Sequence, residues 1–135
     1  MDCPHKSDAP LRVLVVDDSM DTATSTAELL AAHGFIVQEA TNGHEAIQLT
    51  HTEMPDVVLL DLSMPVMDGF EVAQQIRARV RPGAKAPVLI AITGHGYEDD
   101  LARTSAAGFH RHFTKPVEPA LLVDVLRQLR SSHFE

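Results

Sequence analysis

VVLLDLSMPVMDG, residues 57–69, is the stretch on which the fold turns. Four apolar residues, Val57 to Leu60, run straight into a carboxylate, Asp61, and a loop carrying Pro65 and Gly69 follows. An uninterrupted apolar run of this kind reads as a strand buried on both faces, as in a parallel sheet. Ending such a strand in a charge costs several kcal/mol unless the charge is paired or reaches an open end of the sheet. Asp61 therefore stands at a strand end, or finds partners on other strands, or both.

Outward from this stretch the chain alternates two periodicities. LRVLVV (11–16) reads as a first strand and ends in Asp17-Asp18. Ser19 is placed to cap a helix running to His33, with Met20, Ala23, Ala27, Leu30 and Ala31 inward and Gly34 as its stop. FIVQEA (35–40) is a second strand, and Thr41 or Asn42 opens a short helix to about Thr50. DVVLLD (56–61) is the third strand, and a helix from Gly69 to about Val80 turns Phe70, Val72, Ala73 and Ile76 inward. APVLIAIT (86–93) is a fourth strand, Gly94-His95-Gly96 a turn, and 97–107 a helix with few large apolar residues. FHRHFT (109–114) is a fifth strand, and the last helix runs from Glu118 to about Arg130 with Leu121, Leu122, Val125, Leu126 and Leu129 inward.

Strands alternating with helices predict an α/β fold: a doubly wound, flavodoxin-like (βα)5 sandwich around a five-stranded parallel sheet. The expected strand order is 2-1-3-4-5. The expected organisation is an N-terminal arm over 1–10, one domain over 11–131 and a tail over 132–135. The 135 residues suffice for one domain with a proper core. A net charge of −8 argues against direct binding to nucleic acid or to an anionic membrane surface. The single cysteine, Cys3, makes no internal disulfide, the start has no apolar signal segment, and no stretch is long enough for a membrane helix. These features read as a soluble, cytoplasmic protein.

In an open parallel sheet, ligands bind at the carboxyl ends of the strands, where strand order reverses. Strand 1 ends in Asp17-Asp18, strand 3 in Asp61, strand 4 in Thr93, and strand 5 just before Lys115. With strands 1 and 3 adjacent, the three aspartates converge, with Thr93 and Lys115 across the crevice. Clustered carboxylates repel one another unless one keeps a proton or a cation joins them. Ligands that are all oxygen favour a hard cation, and Mg2+ suits a site with few carboxylates completed by waters and a phosphate oxygen. One divalent ion and Lys115 bring the charge of the three aspartates near neutrality. A carboxylate can also be a covalent nucleophile toward a phosphoryl group, with lysine and metal stabilising the charge on the transferred oxygens.

VVDDS (15–19), LLDLSMPVMDGF (59–70), ITG (92–94) and TKP (114–116), in this order and spacing, resemble the receiver domains of two-component response regulators. The resemblance covers residues 11–131. It implies a phosphoacceptor signalling switch in which Asp61 takes a phosphoryl group from a histidine kinase or a histidine phosphotransfer protein. It implies that Asp18 ligates Mg2+ directly, Asp17 acts mostly through a bound water, and the backbone carbonyl of Ser63 is the third protein ligand. Thr93 then hydrogen-bonds the phosphoryl group, Lys115 pairs with it, and the Lys115-Pro116 bond is cis. The signal passes when Thr93 moves inward and the side chain three residues before the lysine rotates into the vacated space. The output is a changed surface on the fourth helix, fifth strand and fifth helix, where a phosphorylation-dependent homodimer or a downstream protein would form its contact. Such a domain catalyses only its own phosphoryl transfer and dephosphorylation and is not otherwise an enzyme.

The chain departs from the family pattern at two places. The rotating side chain is commonly Tyr or Phe; here it is His112, a polar ring. Alanine is commoner after the threonine; here Gly94 gives more access and more backbone freedom. His95 and Ser63 flank the site and influence attack by water on the acyl phosphate. Competing readings are a phosphorylation-independent interaction module on the same fold, an aspartyl-phosphate phosphatase, and a flavin carrier. The module predicts loss of Asp18, Asp61 or Lys115, and all are present. The phosphatase needs an acid two residues after the nucleophile, where Ser63 stands, and Asp17-Asp18 would repel a flavin phosphate. His110 and His112 share one strand face, but no third ligand at zinc spacing accompanies them. Past Arg130 only SSHFE remains, so the expectation is a single-domain regulator or a receiver taken from a larger protein, such as a hybrid kinase.

Overall fold

The computed structural model describes residues 10–62, 69–84, 86–93, 108–114 and 117–133. Five parallel strands, β1 (Arg12–Val16), β2 (Ile36–Ala40), β3 (Val57–Asp61), β4 (Val88–Thr93) and β5 (Arg111–Thr114), form one sheet in the order β2-β1-β3-β4-β5. This is the expected order, and it places β1 beside β3. Helices α1 (Met20–Ala32), α2 (Gly43–Thr52), α3 (Gly69–Ala78) and a C-terminal helix (Pro119–His133) complete the described elements. The expected helix over 97–107 lies outside the described residues, as do Ser63, Gly94, His95, Lys115 and Pro116.

The period-two alternation of strand side chains divides the core between the two faces of the sheet. Leu14, Val16, Val58, Leu60, Leu89 and Ala91 join Ala46 and Ile47 of α2 and Val72, Ala73 and Ile76 of α3 on one face. Val13, Val15, Val57, Leu59, Val88 and Ile90 join Ala23 and Leu30 of α1 and Leu122, Val125 and Leu126 of the C-terminal helix on the other. That is why β3 reads as an unbroken apolar run: both of its faces are covered, and all five of its residues are buried. Burying one such leucine or valine contributes about 1.5–3 kcal/mol. The edge strand β2 is covered less, with only Ala40 fully buried.

The helix ends follow their local chemistry. Ser19 caps α1, its hydroxyl accepting the Thr22 N–H at 3.3 Å. Gly34 ends that helix with a φ of 94°, while its N–H donates to the Ala31 carbonyl and the Phe35 N–H to the Leu30 carbonyl. This pair of bonds is the Schellman arrangement, and Phe35 and Leu30 bury their side chains in the same cluster. Of the two expected caps for α2, Asn42 is the one used; it accepts the Glu45 N–H at 2.8 Å.

Several inner-face assignments need correction. Met20 is 66% exposed and Leu121 50% exposed, and Ala31 also faces solvent. Met20 is the first residue of α1, where the helix begins beyond the end of the sheet. Leu121 shares a helical face with Asp124 and Gln128, both exposed, whereas Val123 takes a buried place that periodicity did not assign. The fifth strand starts at Arg111 rather than at Phe109, although Phe109 is buried and His110 already bonds to β4 through Leu89.

Candidate functional site

Strand register builds the site. Val16 pairs with Leu60, so Asp17, one residue further along β1, comes beside Asp61 at the end of β3. The Asp17 N–H continues the ladder to the Ala40 carbonyl at 3.0 Å, which holds the chain extended past the formal end of β1. Its carboxylate accepts the Ser19 N–H at 2.9 Å, which turns the chain into α1 and leaves Asp18 on the outside. Carboxylate oxygens of Asp17, Asp18 and Asp61 all lie within 4.8 Å of one another. Asp61 is 1% exposed and Asp17 6%, while Asp18 is open to solvent. Two buried acids and one exposed acid thus form a cup whose mouth is at Asp18.

Asp61 pairs with Ile92, and the Leu62 N–H donates to the Ile92 carbonyl at 2.9 Å, so the backbone stays ordered through the acid. Thr93, the next residue on β4, reaches the same edge of the sheet and is 2% exposed. Its hydroxyl lies 2.9 Å from Nε2 of His112 on β5. Ala91 pairs with His112 and Thr93 with Thr114, so His112 and Thr93 are diagonal neighbours on one face of the sheet. The sequence suggested both residues but not this bond, because it depends on the register between β4 and β5.

Gly69 is a position whose role the sequence did not disclose. A Cβ there would lie 2.6 Å from Leu62 Cδ2 and 3.2 Å from Leu62 Cα. The start of α3 therefore packs closely on the backbone that carries Asp61, and a side chain at this position would force Leu62 to give way. Phe70, the next residue, is half-buried and meets Phe109 edge-on, with ring centroids 6.2 Å apart at 89°. It packs, as expected, and ties the start of α3 to the approach to β5.

The two strand histidines do not form a metal pair. The His110 Nδ1 accepts the Leu89 N–H at 3.1 Å, and the His112 Nε2 is engaged by Thr93. Among the described residues, the one group of three or more candidate ligands is the aspartate triad. Its all-oxygen donors suit a hard cation such as Mg2+ and not zinc.

The family described as "Response regulator receiver domain" matches residues 13–127, which includes every described residue of this site. The chain belongs to that family. Receiver domains are signalling switches of two-component systems and interact with histidine kinases or phosphotransfer proteins. This receiver domain is 37% identical over 120 residues to an uncharacterized 14.6 kDa protein of Leptolyngbya boryana, covering 89% of this chain and 90% of that one. It is 34% identical over 115 residues to protein PilH of Pseudomonas aeruginosa, covering 85% and 93%. The crystallised chemotaxis protein CheY4 of Vibrio cholerae superposes with a TM-score of 0.81 at 28% identity, covering 89% and 98%. No described helix of the receiver is long and apolar enough to cross a membrane.

Proposed function

We propose that Asp61 is the phosphoacceptor of this receiver and that a histidine kinase or histidine phosphotransfer protein is its donor. The observation that carries the reading is the convergence of Asp17, Asp18 and Asp61 within 4.8 Å at the strand ends, with Asp61 almost wholly buried. Like charges gathered this closely work against the fold, so the arrangement serves a ligand rather than stability. In the transfer, a carboxylate oxygen of Asp61 forms the new P–O bond as the P–N bond of the donor's phosphohistidine breaks, and the departing imidazole nitrogen takes up a proton. Asp17, Asp18 and the carbonyl of Ser63 would hold Mg2+ beside Asp61. When bound, the ion supplies positive charge to the phosphoryl oxygens. Thr93 donates a hydrogen bond to one phosphoryl oxygen, and Lys115 pairs with another. Ser63, Gly94 and His95 would flank the site and influence attack by water on the acyl phosphate. The switched surface would be that of the expected fourth helix, β5 and the C-terminal helix, and the setting would be the cytoplasm. That face would meet a downstream protein or a second copy of the chain.

Intact-mass spectrometry after incubation with acetyl phosphate tests this reading. The expected result is a gain of one phosphoryl group that requires Mg2+ and is absent in Asp61→Asn. No gain, together with no binding of beryllofluoride, would favour an interaction module that works without phosphorylation.

A further inference from the structure

We propose that His112 is a positioning residue that restrains the Thr93 hydroxyl in the resting state, so that phosphoryl binding and His112 release are one hydrogen-bond exchange. The inference rests on the reading of Thr93 as a phosphoryl ligand. It goes beyond that reading in assigning a direction to the Thr93–His112 bond and a sign to its effect.

The direction follows from satisfying the buried hydroxyl. Thr93 is 2% exposed, and among the described residues its side chain makes one hydrogen bond, to His112 Nε2 at 2.9 Å. A threonine hydroxyl has one proton to donate, and a neutral imidazole has one donor nitrogen and one acceptor nitrogen. If Nε2 carried the proton, the Thr93 O–H would be left inside the protein without an acceptor among the described residues, the costlier arrangement. If Nδ1 carries it, Nε2 accepts from Thr93. His112 is only half-buried, so its Nδ1–H can still reach solvent. The resting bond is therefore Thr93 O–H donating to His112 Nε2.

Phosphoryl oxygens only accept. The one proton of the Thr93 hydroxyl cannot serve His112 and a phosphoryl oxygen at once. With His112 held in the Nδ1–H tautomer, occupying Asp61 breaks the Thr93 donation to Nε2, and breaking it frees the imidazole. A Phe at this position would carry no acceptor and would respond only to vacated space. His112 instead opposes occupancy in proportion to the strength of its own bond. By linkage, a partner that binds the form with His112 released raises the affinity for the phosphoryl group by the same factor.

Beryllofluoride in the presence of Mg2+ serves as the phosphoryl mimic. His112→Phe keeps the ring and removes the acceptor nitrogen, so the variant should bind beryllofluoride about 2- to 10-fold more tightly, the ordinary worth of one hydrogen bond. In a Thr93→Ala background the same change should have no effect, because the competing proton is gone. An equal gain in both backgrounds would mean relief of crowding and would overturn the exchange, as would an unchanged or weaker affinity in His112→Phe. Long-range proton–nitrogen correlation spectra of His112 supply an independent reading in the resting wild type. They should show a protonated Nδ1 and a bare, accepting Nε2 that loses its bond when beryllofluoride binds; a protonated resting Nε2 overturns the proposal. Failure of the wild type to bind beryllofluoride would sink the functional reading and the exchange with it. Binding by wild type without a gain in His112→Phe would sink the exchange alone.

Discussion

Where the strands begin, Arg12 meets Glu53 at 2.5 Å and its backbone N–H donates to Asp56 Oδ2 at 2.9 Å. Where they finish, Asp17, Asp18 and Asp61 meet one another. The same residue types are handled in opposite ways at the two ends of one sheet. At the first end a carboxylate faces a guanidinium, in an ion pair about half exposed on both sides, the ordinary way to place acids on a surface. At the second, two of the three acids are buried beside a third. Surface pairs of the first kind contribute little to stability, so little is lost if they change. The cluster of the second kind disfavours folding unless a cation joins it, and that difference separates scaffold from site.

Four measurements bear on the contrast, from the largest expected effect to the smallest. Phosphorylation by acetyl phosphate should vanish in Asp61→Asn and survive intact in Asp56→Asn, the matched change at the opposite end. Comparable mass gain in both variants would remove the distinction. Next, Gly69→Ala should destabilise by about 1–3 kcal/mol in urea unfolding, because its Cβ would collide with Leu62 and the chain beside Asp61. Gly83, in the loop before β4, has a φ of 84° but open space around its missing Cβ. Its change to alanine should cost only the backbone strain, about 1 kcal/mol. Equal costs would mean that the packing of α3 on β3 matters less than the contact distances imply.

Asp18→Asn sharpens the comparison further. With EDTA present, removing one of three like charges should raise stability by about 0.5–2 kcal/mol. With Mg2+ in excess the order should reverse, since the ion stabilises only a chain that binds it. Thermal melts under the two conditions decide the matter, and a variant less stable in both would refute the view that the acids strain the fold. The smallest effect is expected at the other end. Glu53→Gln should alter stability by less than about 0.5 kcal/mol, and that change should fade in high salt. A larger loss, insensitive to salt, would show that the Arg12 pair is structural after all.

Much of this was legible because the chain repeats one rule. Each core strand is apolar until it reaches the carboxyl edge, and the residue that breaks the run is the one that enters the site. Asp17, Asp61 and Thr93 could be picked out for that reason, and adjacency of β1 and β3 brings the aspartates together. Other features were hidden. Met20 lies on the helical face that periodicity assigns to the core, but pattern alone does not reveal that the sheet has ended beneath it. Leu121 failed similarly, since a helix with apolar residues at 121, 122, 123, 125 and 126 offers more than one face and only its neighbours select the buried one. Gly69 resembled any helix-starting glycine until the distance to Leu62 was known.

The sequence by itself determined the α/β layering, the parallel sheet and the edge at which its acids gather, because hydrophobic period and strand-end chemistry are local properties written residue by residue. The tertiary structure alone decided which hydroxyl meets which ring nitrogen. Thr93 and His112 are 19 residues apart, and their 2.9 Å bond exists because β4 and β5 pair Ala91 with His112. A shift of that register by one residue would turn His112 to the opposite face, where it could not reach Thr93.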